Sequence, residues 1–147
     1  MKSGFSYSLP TLGLLSILML PLEGHADTKK PGAVFKDCET CPEMVVIPAG
    51  SFKMGDLSGK GEYEEKPVHE VKISYSFAVG KYEVTQAEWE AVMGNNPSDP
   101  EFKGARKPVE MVTWKDAKSF VKKLSEQTGK EYRLLRESEW EYMARAG

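Results

Sequence analysis

The residues with the most evident chemical potential are two cysteines in a Cys-x-x-Cys motif, Cys38 and Cys41. This spacing occurs in redox-active pairs and in half of a zinc site. A zinc site needs two further ligands, and beyond residue 26 the chain has no third cysteine and a single histidine, His69. A redox-active motif opens a helix, whereas Pro42 and a strand-like segment follow here. In an oxidising compartment the motif therefore favours a small local disulfide.

Acidic side chains are the next candidates for metal binding or acid–base chemistry. Glu62, Glu64 and Glu65 are clustered, but they lack the alternating ligand spacing of a calcium loop. A solvated loop is therefore favoured. His69 lies next to Glu70 at the start of a strand-like stretch, where a lone histidine indicates a surface residue rather than a ligand or base.

A third candidate group lies near the end of the chain and comprises Glu139, Glu141 and Arg145. These side chains have the types needed for acid–base catalysis. Positions 141 and 145 are one helical turn apart, which is the spacing of an ordinary ion pair. The structural interpretation is favoured, and the sequence assigns no catalytic, cofactor-binding or metal-binding residue.

Composition limits the classes of function. The chain has 147 residues, of which 40% are hydrophobic and 10% aromatic, enough for the core of one domain. Its formal net charge is −2. A nucleic-acid partner is not expected, because phosphate contacts require clustered lysines and arginines.

The N-terminus has the layout of a secretory signal peptide. A short polar leader precedes the apolar residues 9–22, and small residues allow a cut after Ala26. The apolar run is short for a membrane span, which needs about 20 residues, so an uncleaved anchor is the weaker alternative. We expect a secreted or periplasmic protein without a stable membrane span after cleavage. The expected map is a signal peptide at 1–26, a flexible leader with both cysteines at 27–42, and a domain at 43–147.

Short strands are predicted on both sides of Pro48. Residues 44–47 and 51–54 form two apolar stretches around a turn, which suggests a hairpin. Residues 68–79 alternate between apolar and polar side chains, as expected for one half-buried strand or for two strands joined at residues 75–76. A further strand is predicted at 131–134.

Two helices carry clear start and stop signals. Thr85 and Glu88 form a capping box before a helix that buries Trp89 and ends at Gly94. Thr113 is the predicted N-cap of a second helix, which Gly129 closes. One apolar face is predicted on this second helix, formed by Trp114, Ala117, Val121 and Leu124, with Phe120 beside it. The lysines of the helix are predicted to lie largely on its solvent-exposed face.

Four segments together resemble the formylglycine-generating enzyme (sulfatase-modifying factor) domain family. They are MVVIPAGSFKMG, YEVTQAEWEAVMGNNPS, KPVEMVTWKDAKSF and EYRLLRESEWEYMARAG, and they occur in the family's order and spacing over residues 43–147. The resemblance implies an α+β fold related to C-type lectins. Active members oxidise a cysteine of a sulfatase to formylglycine, using oxygen and a copper ion bound by two cysteines.

The chain also departs from the family pattern. The family's copper-binding cysteines and calcium-site loops follow the segment that matches residues 139–147, so neither metal is expected in this chain unless that C-terminal half is present. Trp140 and Tyr142 are then expected to have little to pack against. Leu135 and Arg136 replace the usual Pro-Thr pair. Without a threonine N-cap the last helix should fray, unless Ser138 caps it.

The resemblance implies two functional hypotheses. The first is the N-terminal part of an exported formylglycine-generating-type oxidase, incomplete at its C-terminus, with a sulfatase or another protein as substrate. The second is a non-catalytic, lectin-like binding or scaffold module of the cell envelope, or a truncated remnant. Tyr63, Tyr75 and Tyr82 are candidate ligand-facing aromatics for the second hypothesis.

Overall fold

A computed structural model describes residues 29–145. The predicted signal peptide and its cleavage position, Ala26, lie outside these described residues. The elements in chain order are β1 (Val34–Phe35), β2 (Met44–Ile47), β3 (Gly50–Met54), β4 (His69–Ile73), β5 (Phe77–Gly80), α1 (Gln86–Met93), α2 (Trp114–Thr128) and α3 (Glu137–Arg145), with short 3-10 turns at Tyr63–Glu65 and Pro100–Phe102. The mixture of helices and antiparallel strands agrees with the predicted α+β class.

The strands form two small antiparallel sheets. In the first sheet β2 lies between β1 and β5, and in the second β3 pairs with β4. The predicted hairpin of residues 44–47 and 51–54 is therefore wrong. Both edges of β2 are occupied, by β1 on one side and β5 on the other, so β3 has no free edge of β2 to join. The stretch 68–79 is two strands, one in each sheet.

The segment expected to be a flexible leader is built into the fold from residue 29 onward. β1 pairs with β2, with Val34 opposite Val45. The side chain of Asp37 accepts a hydrogen bond from Tyr132 and pairs with Lys130. Cys41 is completely buried. The domain thus starts before residue 43, because these contacts hold residues 34–41 against the rest of the chain.

Two hydrophobic clusters form the core. The first joins Cys41 to α1 and α2, where the rings of Trp89 and Phe120 stack with centroids 5.1 Å apart. The second packs β3, β4 and β5 against α3, and the ring centroids of Phe52 and Tyr142 are 5.5 Å apart. Tyr142 is only 7% exposed, so the expectation that it would lack packing partners is wrong.

The helix boundaries follow the predicted signals. The hydroxyl oxygens of Thr85 and Thr113 accept hydrogen bonds from the backbones of Glu88 and Asp116, and each pair forms a complete capping box. Gly94 and Gly129 end the two helices in left-handed conformations, with φ of 80° and 68°. Such backbone angles disfavour most residues with a Cβ atom.

Helix α3 begins without the threonine that the family pattern would place at Arg136. The backbone N–H of Arg136 instead donates to Glu139 Oε2 at 2.8 Å. This contact is the carboxylate half of a capping box, and Ser138 takes no part in it. The start of α3 is therefore held by Glu139, which offsets part of the expected loss of helix stability.

Candidate functional site

An open groove of about 600 Å³ runs along one side of α2. The α2 wall contributes side chains at helical spacing, namely Trp114, Lys118, Val121, Lys122, Ser125 and Glu126. The opposite wall is the chain between α2 and α3, at Tyr132, Arg133, Leu134 and Leu135. The lining is mostly apolar, with charges at the rim. This combination suits the binding of a partially apolar ligand rather than a small anion.

The exposed end of the groove is formed by Trp114, which was predicted to lie on the apolar face of α2. The side chain is 70% exposed, so that prediction is wrong for Trp114. The cluster around Cys41 and Trp89 covers Phe120 and Leu124, and it does not bury the first turn of α2. The ammonium of Lys118 lies 4.6 Å from the centroid of the Trp114 ring, which is a cation–π contact.

Another exposed apolar residue precedes this helix. Met111 has a positive φ of 59° and is 72% exposed. A left-handed conformation is uncommon for a residue with an unbranched bulky side chain. Trp140 on α3 is also exposed, as expected for a side chain with little to pack against.

The groove wall formed by residues 132–135, the loop wall, is hydrogen-bonded to α2 through Ser125. The hydroxyl oxygen of Ser125 accepts a hydrogen bond from the Tyr132 backbone N–H at 2.8 Å, and its hydrogen is within reach of the Val121 and Tyr132 carbonyls. The phenol of Tyr132 donates to Asp37. Burial and this hydrogen bond raise the pKa of Tyr132 well above its ordinary value. Tyr132 is thus held in the loop wall through both its backbone and its side chain.

Residues 131–134 were predicted to be a strand, and this prediction is wrong for the described structure. The segment belongs to neither sheet. The backbone of Tyr132 is bonded to the Ser125 side chain instead of to a neighbouring strand. A sequence with strand propensity still requires a partner to form a ladder.

The far end of the loop wall is held by a buried carboxylate. Glu139 is fully buried and accepts two hydrogen bonds of 2.6 Å from the Arg133 guanidinium and one of 2.6 Å from the Tyr75 hydroxyl. The hydrogen bonds from Arg133, helped by Tyr75 and the Arg136 N–H, lower the pKa of Glu139 from 4.5 to about 2 against the opposing effect of burial. Glu139 is therefore an ionised structural anchor rather than a general acid or base.

The other residues that the sequence singled out lie elsewhere. Glu141 pairs with Arg145 at 2.6 Å, the predicted ion pair, and accepts the N–H of Gly55 at 2.9 Å. Cys38 and Cys41 are joined in a disulfide. The carboxylates at 62, 64 and 65 are exposed, as is His69, whose Nδ1 lies 3.0 Å from the Pro67 carbonyl. Tyr63 and Tyr82 are exposed and do not line the groove.

Two polar centres had no clear signal in the sequence. Asp56, in the acidic loop, accepts hydrogen bonds from the hydroxyl and N–H of Ser58 and from the N–H of Gly61, which lower its pKa to about 2. Gln86 is 1% exposed. Its side-chain Nε2 donates hydrogen bonds to the carbonyls of Phe102 and Pro108. Its Oε1 accepts hydrogen bonds from the Asn96 side chain and the N–H of Gly104. Both side chains are satisfied by the loops that they organise. They are structural centres.

Among residues 29–145, no group of three or more histidine, cysteine or acidic side chains is arranged to hold a metal ion. A site built on two cysteine thiolates, as the resemblance implies for copper, does not fit these residues. The disulfide leaves neither Cys38 nor Cys41 with a thiolate to donate. In the same described range, none of the helices is both long enough and apolar enough to cross a membrane.

Fold and sequence together define a small two-sheet α+β domain, and comparison with known proteins gives its family. The model of the sulfatase-modifying factor enzyme 1-like domain matches residues 30–147, and the chain belongs to this family. The match also includes residues 30–42, in agreement with the structure.

Solved structures support the fold. The structure of PvdO from Pseudomonas aeruginosa superposes with a TM-score of 0.75 at 41% identity, covering 81% of this chain and 53% of that chain. Treponema denticola variable protein 1 superposes with a TM-score of 0.55 at 31% identity, covering 67% of this chain and 36% of that chain. The chain thus spans about half the length of PvdO.

A relative in sequence is the chaperone protein LppX of Paenibacillus barcinonensis. It is 47% identical over 75 residues, which are 51% of this chain and 23% of the relative. The matched part is therefore a minor portion of that protein.

Proposed function

We propose that residues 29–145 form the polypeptide-binding part of an exported sulfatase-modifying-factor-like domain that acts as a binding or scaffold module. The observation that carries this proposal is the open groove between α2 and residues 132–135, with Trp114 exposed at its end. Aromatic side chains on a fixed scaffold are typical anchors of protein interfaces. The relative named as a chaperone supports a polypeptide as the partner.

The chemistry of the described carboxylates supports binding over catalysis by this part of the domain. Glu139 and Glu141 are both engaged with arginines and with backbone N–H groups. Their pKa values are lowered, so neither is poised to exchange a proton near neutral pH. The groove residues themselves offer shape, apolar surface and charge.

Binding is tested with a purified chain and a permanently unfolded polypeptide, reduced and carboxymethylated α-lactalbumin, labelled for fluorescence anisotropy. Trp114→Ala should weaken binding about tenfold, as expected for loss of an aromatic anchor. Tyr63→Ala is the matched control, because Tyr63 is 85% exposed and lies outside the groove. Absence of binding, or equal effects of both substitutions, would contradict the proposal.

Family membership supports a second candidate function, the oxidation of a protein cysteine to formylglycine by a longer protein that contains this domain. A sulfatase or another cysteine-containing protein would then be the substrate. The residues that would bind copper or calcium are expected in the family's C-terminal half. Mass spectrometry of a cysteine-containing sulfatase peptide after incubation with such a protein tests this activity, with unchanged cysteine as the opposing result.

Export is proposed from the signal-peptide pattern, with the mature chain secreted or periplasmic. Expression in a bacterial host followed by N-terminal sequencing tests the cut after Ala26. Asp27 is the expected first residue of the mature protein. Recovery of the intact N-terminus in the membrane fraction would favour the uncleaved anchor instead.

A further inference from the structure

We infer that the disulfide between Cys38 and Cys41 is a redox switch that sets the affinity of the groove for its polypeptide. This inference rests on the proposed function and names the regulation of the same site. Cys38 directly follows Asp37, whose carboxylate holds Tyr132 in the loop wall. The oxidised form keeps that contact in place and binds the polypeptide tightly, whereas reduction loosens the contact and weakens binding.

The carboxylate of Asp37 joins the N-terminal segment to the groove. Its side chain is 7% exposed, and it pairs with the Lys130 ammonium at 2.5 Å and accepts a hydrogen bond from the Tyr132 hydroxyl. Burial raises the pKa of Asp37, but the hydrogen bonds from Lys130 and Tyr132 lower it overall. Tyr132 lines the groove. The position of the loop wall therefore depends on how firmly the backbone at residue 37 is held.

The disulfide is the main constraint on the C-terminal side of Asp37. On the other side, β1 pairs with β2 as far as Phe35. Within the described part of the chain, residues 36–41 form one backbone hydrogen bond among themselves, from the Cys41 N–H to the Cys38 carbonyl at 3.3 Å. Residues 38–40 are exposed. Without the covalent bond these residues gain conformational freedom, and restoring the Asp37 contacts costs the entropy of ordering them again.

The two cysteines differ in accessibility. Cys38 is exposed, and its sulphur lies 3.7 Å from the hydroxyl oxygen of Thr40 at the surface. Cys41 is completely buried in the first hydrophobic cluster. A thiol reductant therefore reaches Cys38, and thiol–disulfide exchange needs access to one sulphur of the bond. A reduced Cys41 stays in the core as a small apolar side chain, so the change is local.

Reduction proceeds by exchange with a dithiol. One thiolate of the dithiol bonds to the Cys38 sulphur, the bond between Cys38 and Cys41 breaks, and the Cys41 thiolate takes up a proton. The second thiol of the reductant loses its proton and attacks the reductant sulphur of the mixed disulfide. Cys38 leaves as a thiolate and is protonated in turn. Two electrons pass to the protein, and the dithiol becomes a cyclic disulfide.

The first experiment compares the oxidised protein with protein reduced by dithiothreitol. The probe is the labelled carboxymethylated α-lactalbumin, which has neither a free thiol nor a disulfide. Reduction should weaken its binding about tenfold, within the limit that so short a disulfide loop allows. Hydrogen exchange should become faster at the Tyr132 amide, which donates to Ser125 at 2.8 Å, while amides in the middle of α2 stay protected. Equal affinity of the two states would overturn the inference and leave the proposed function standing.

Variants separate the disulfide from the carboxylate that it positions. Cys38→Ser keeps a thiol at Cys41 and should bind as weakly as the reduced protein, with no response to dithiothreitol. Asp37→Asn should bind about tenfold more weakly when oxidised, and reduction should add little, because both changes act through one contact. Glu43→Gln is the matched control, since it removes a carboxylate that pairs with Lys81 at 2.7 Å and does not line the groove. A full response to reduction in Asp37→Asn would contradict a route through Asp37.

The closing measurement is the midpoint potential of the disulfide with and without the polypeptide. Oxidation and binding are linked, so tenfold tighter binding by the oxidised form must stabilise the disulfide by the same factor. Saturating polypeptide should lower the midpoint by about 30 mV in dithiothreitol buffers, and Asp37→Asn should abolish this shift. An unchanged midpoint, or loss of protection throughout α2 on reduction, would overturn the inference alone. Absence of polypeptide binding in both redox states would overturn the proposed function and the inference together.

Discussion

The two faces of α2 have similar apolar side chains but opposite surroundings. On the core face, Phe120 stacks on Trp89, and Leu124 is 2% exposed. On the groove face, Trp114 extends into solvent beside Lys118. The helix is the same and its capping is regular, so the difference arises from what the neighbouring elements cover. Burial of an aromatic side chain on α2 therefore depends on where α1 and Cys41 lie.

The largest expected effect tests the core face. Phe120→Ala removes a stacked ring from the first cluster and should lower the free energy of unfolding by about 3–5 kcal/mol. Urea denaturation followed by circular dichroism measures this loss. A loss below about 1 kcal/mol would mean that the core face of α2 is not where the domain is anchored.

Glu139→Gln tests the anchor that holds the groove wall. The substitution keeps the shape of the side chain but removes the charge that Arg133 and Tyr75 bind. We expect a loss of about 2 kcal/mol, moderated because Arg133 is 42% exposed and reaches water. Glu126→Gln is the control, since its pair with Lys122 is exposed and long at 3.8 Å and should contribute under about 1 kcal/mol. Similar losses in both variants would argue against an anchor at Glu139.

Lowering the pH should neutralise the Glu139 carboxylate and so weaken the same contacts without a substitution. The folded-state pKa of Glu139 is lowered from 4.5 to about 2, so the carboxylate stabilises the fold at pH values above 4.5. This contribution is lost as the pH falls from 4.5 toward about 2, because the unfolded state takes up the proton first. The stability difference between wild type and Glu139→Gln should therefore shrink across that window. A constant difference would contradict the pKa assignment.

Reduction of the disulfide should have a smaller effect than either substitution. Cys38 and Cys41 are separated by three positions, and such a short ring restricts the unfolded chain little. We expect a loss of about 2 kcal/mol or less on addition of a phosphine reductant. These are the two cysteines of the chain, so unfolding with and without reductant isolates their effect. A much larger loss would mean that the disulfide holds β1 in place.

Local signals in the sequence were sufficient for the helices. Thr85, Thr113, Gly94 and Gly129 act through contacts within a few residues, and each lies at the predicted helix end. The family could also be predicted, because the four matching segments cover most of the domain. Short-range physics therefore accounts for α1 and α2 and for their ends.

The pairing of the strands and the exposure of side chains on α2 could not be predicted from such local signals. The apolar pattern at β2 and β3 is the same whether they pair with each other or with other strands, and only the positions of β1 and β5 decide it. The helical periodicity includes Trp114, but it does not show how far the core extends along α2. The groove was missed for this reason. Its walls meet only after Ser125 and Glu139 fix residues 132–135.

The smallest expected effect on stability tests the groove face directly. Trp114→Ala removes a side chain that is 70% exposed and should change the free energy of unfolding by less than about 0.5 kcal/mol, while polypeptide binding falls. Urea denaturation and fluorescence anisotropy on the same preparation measure the two quantities. If the substitution instead costs as much stability as Phe120→Ala, Trp114 belongs to the core and the two faces of α2 are equivalent. A change in binding alone would show that α2 stabilises the domain with one face and recognises a partner with the other.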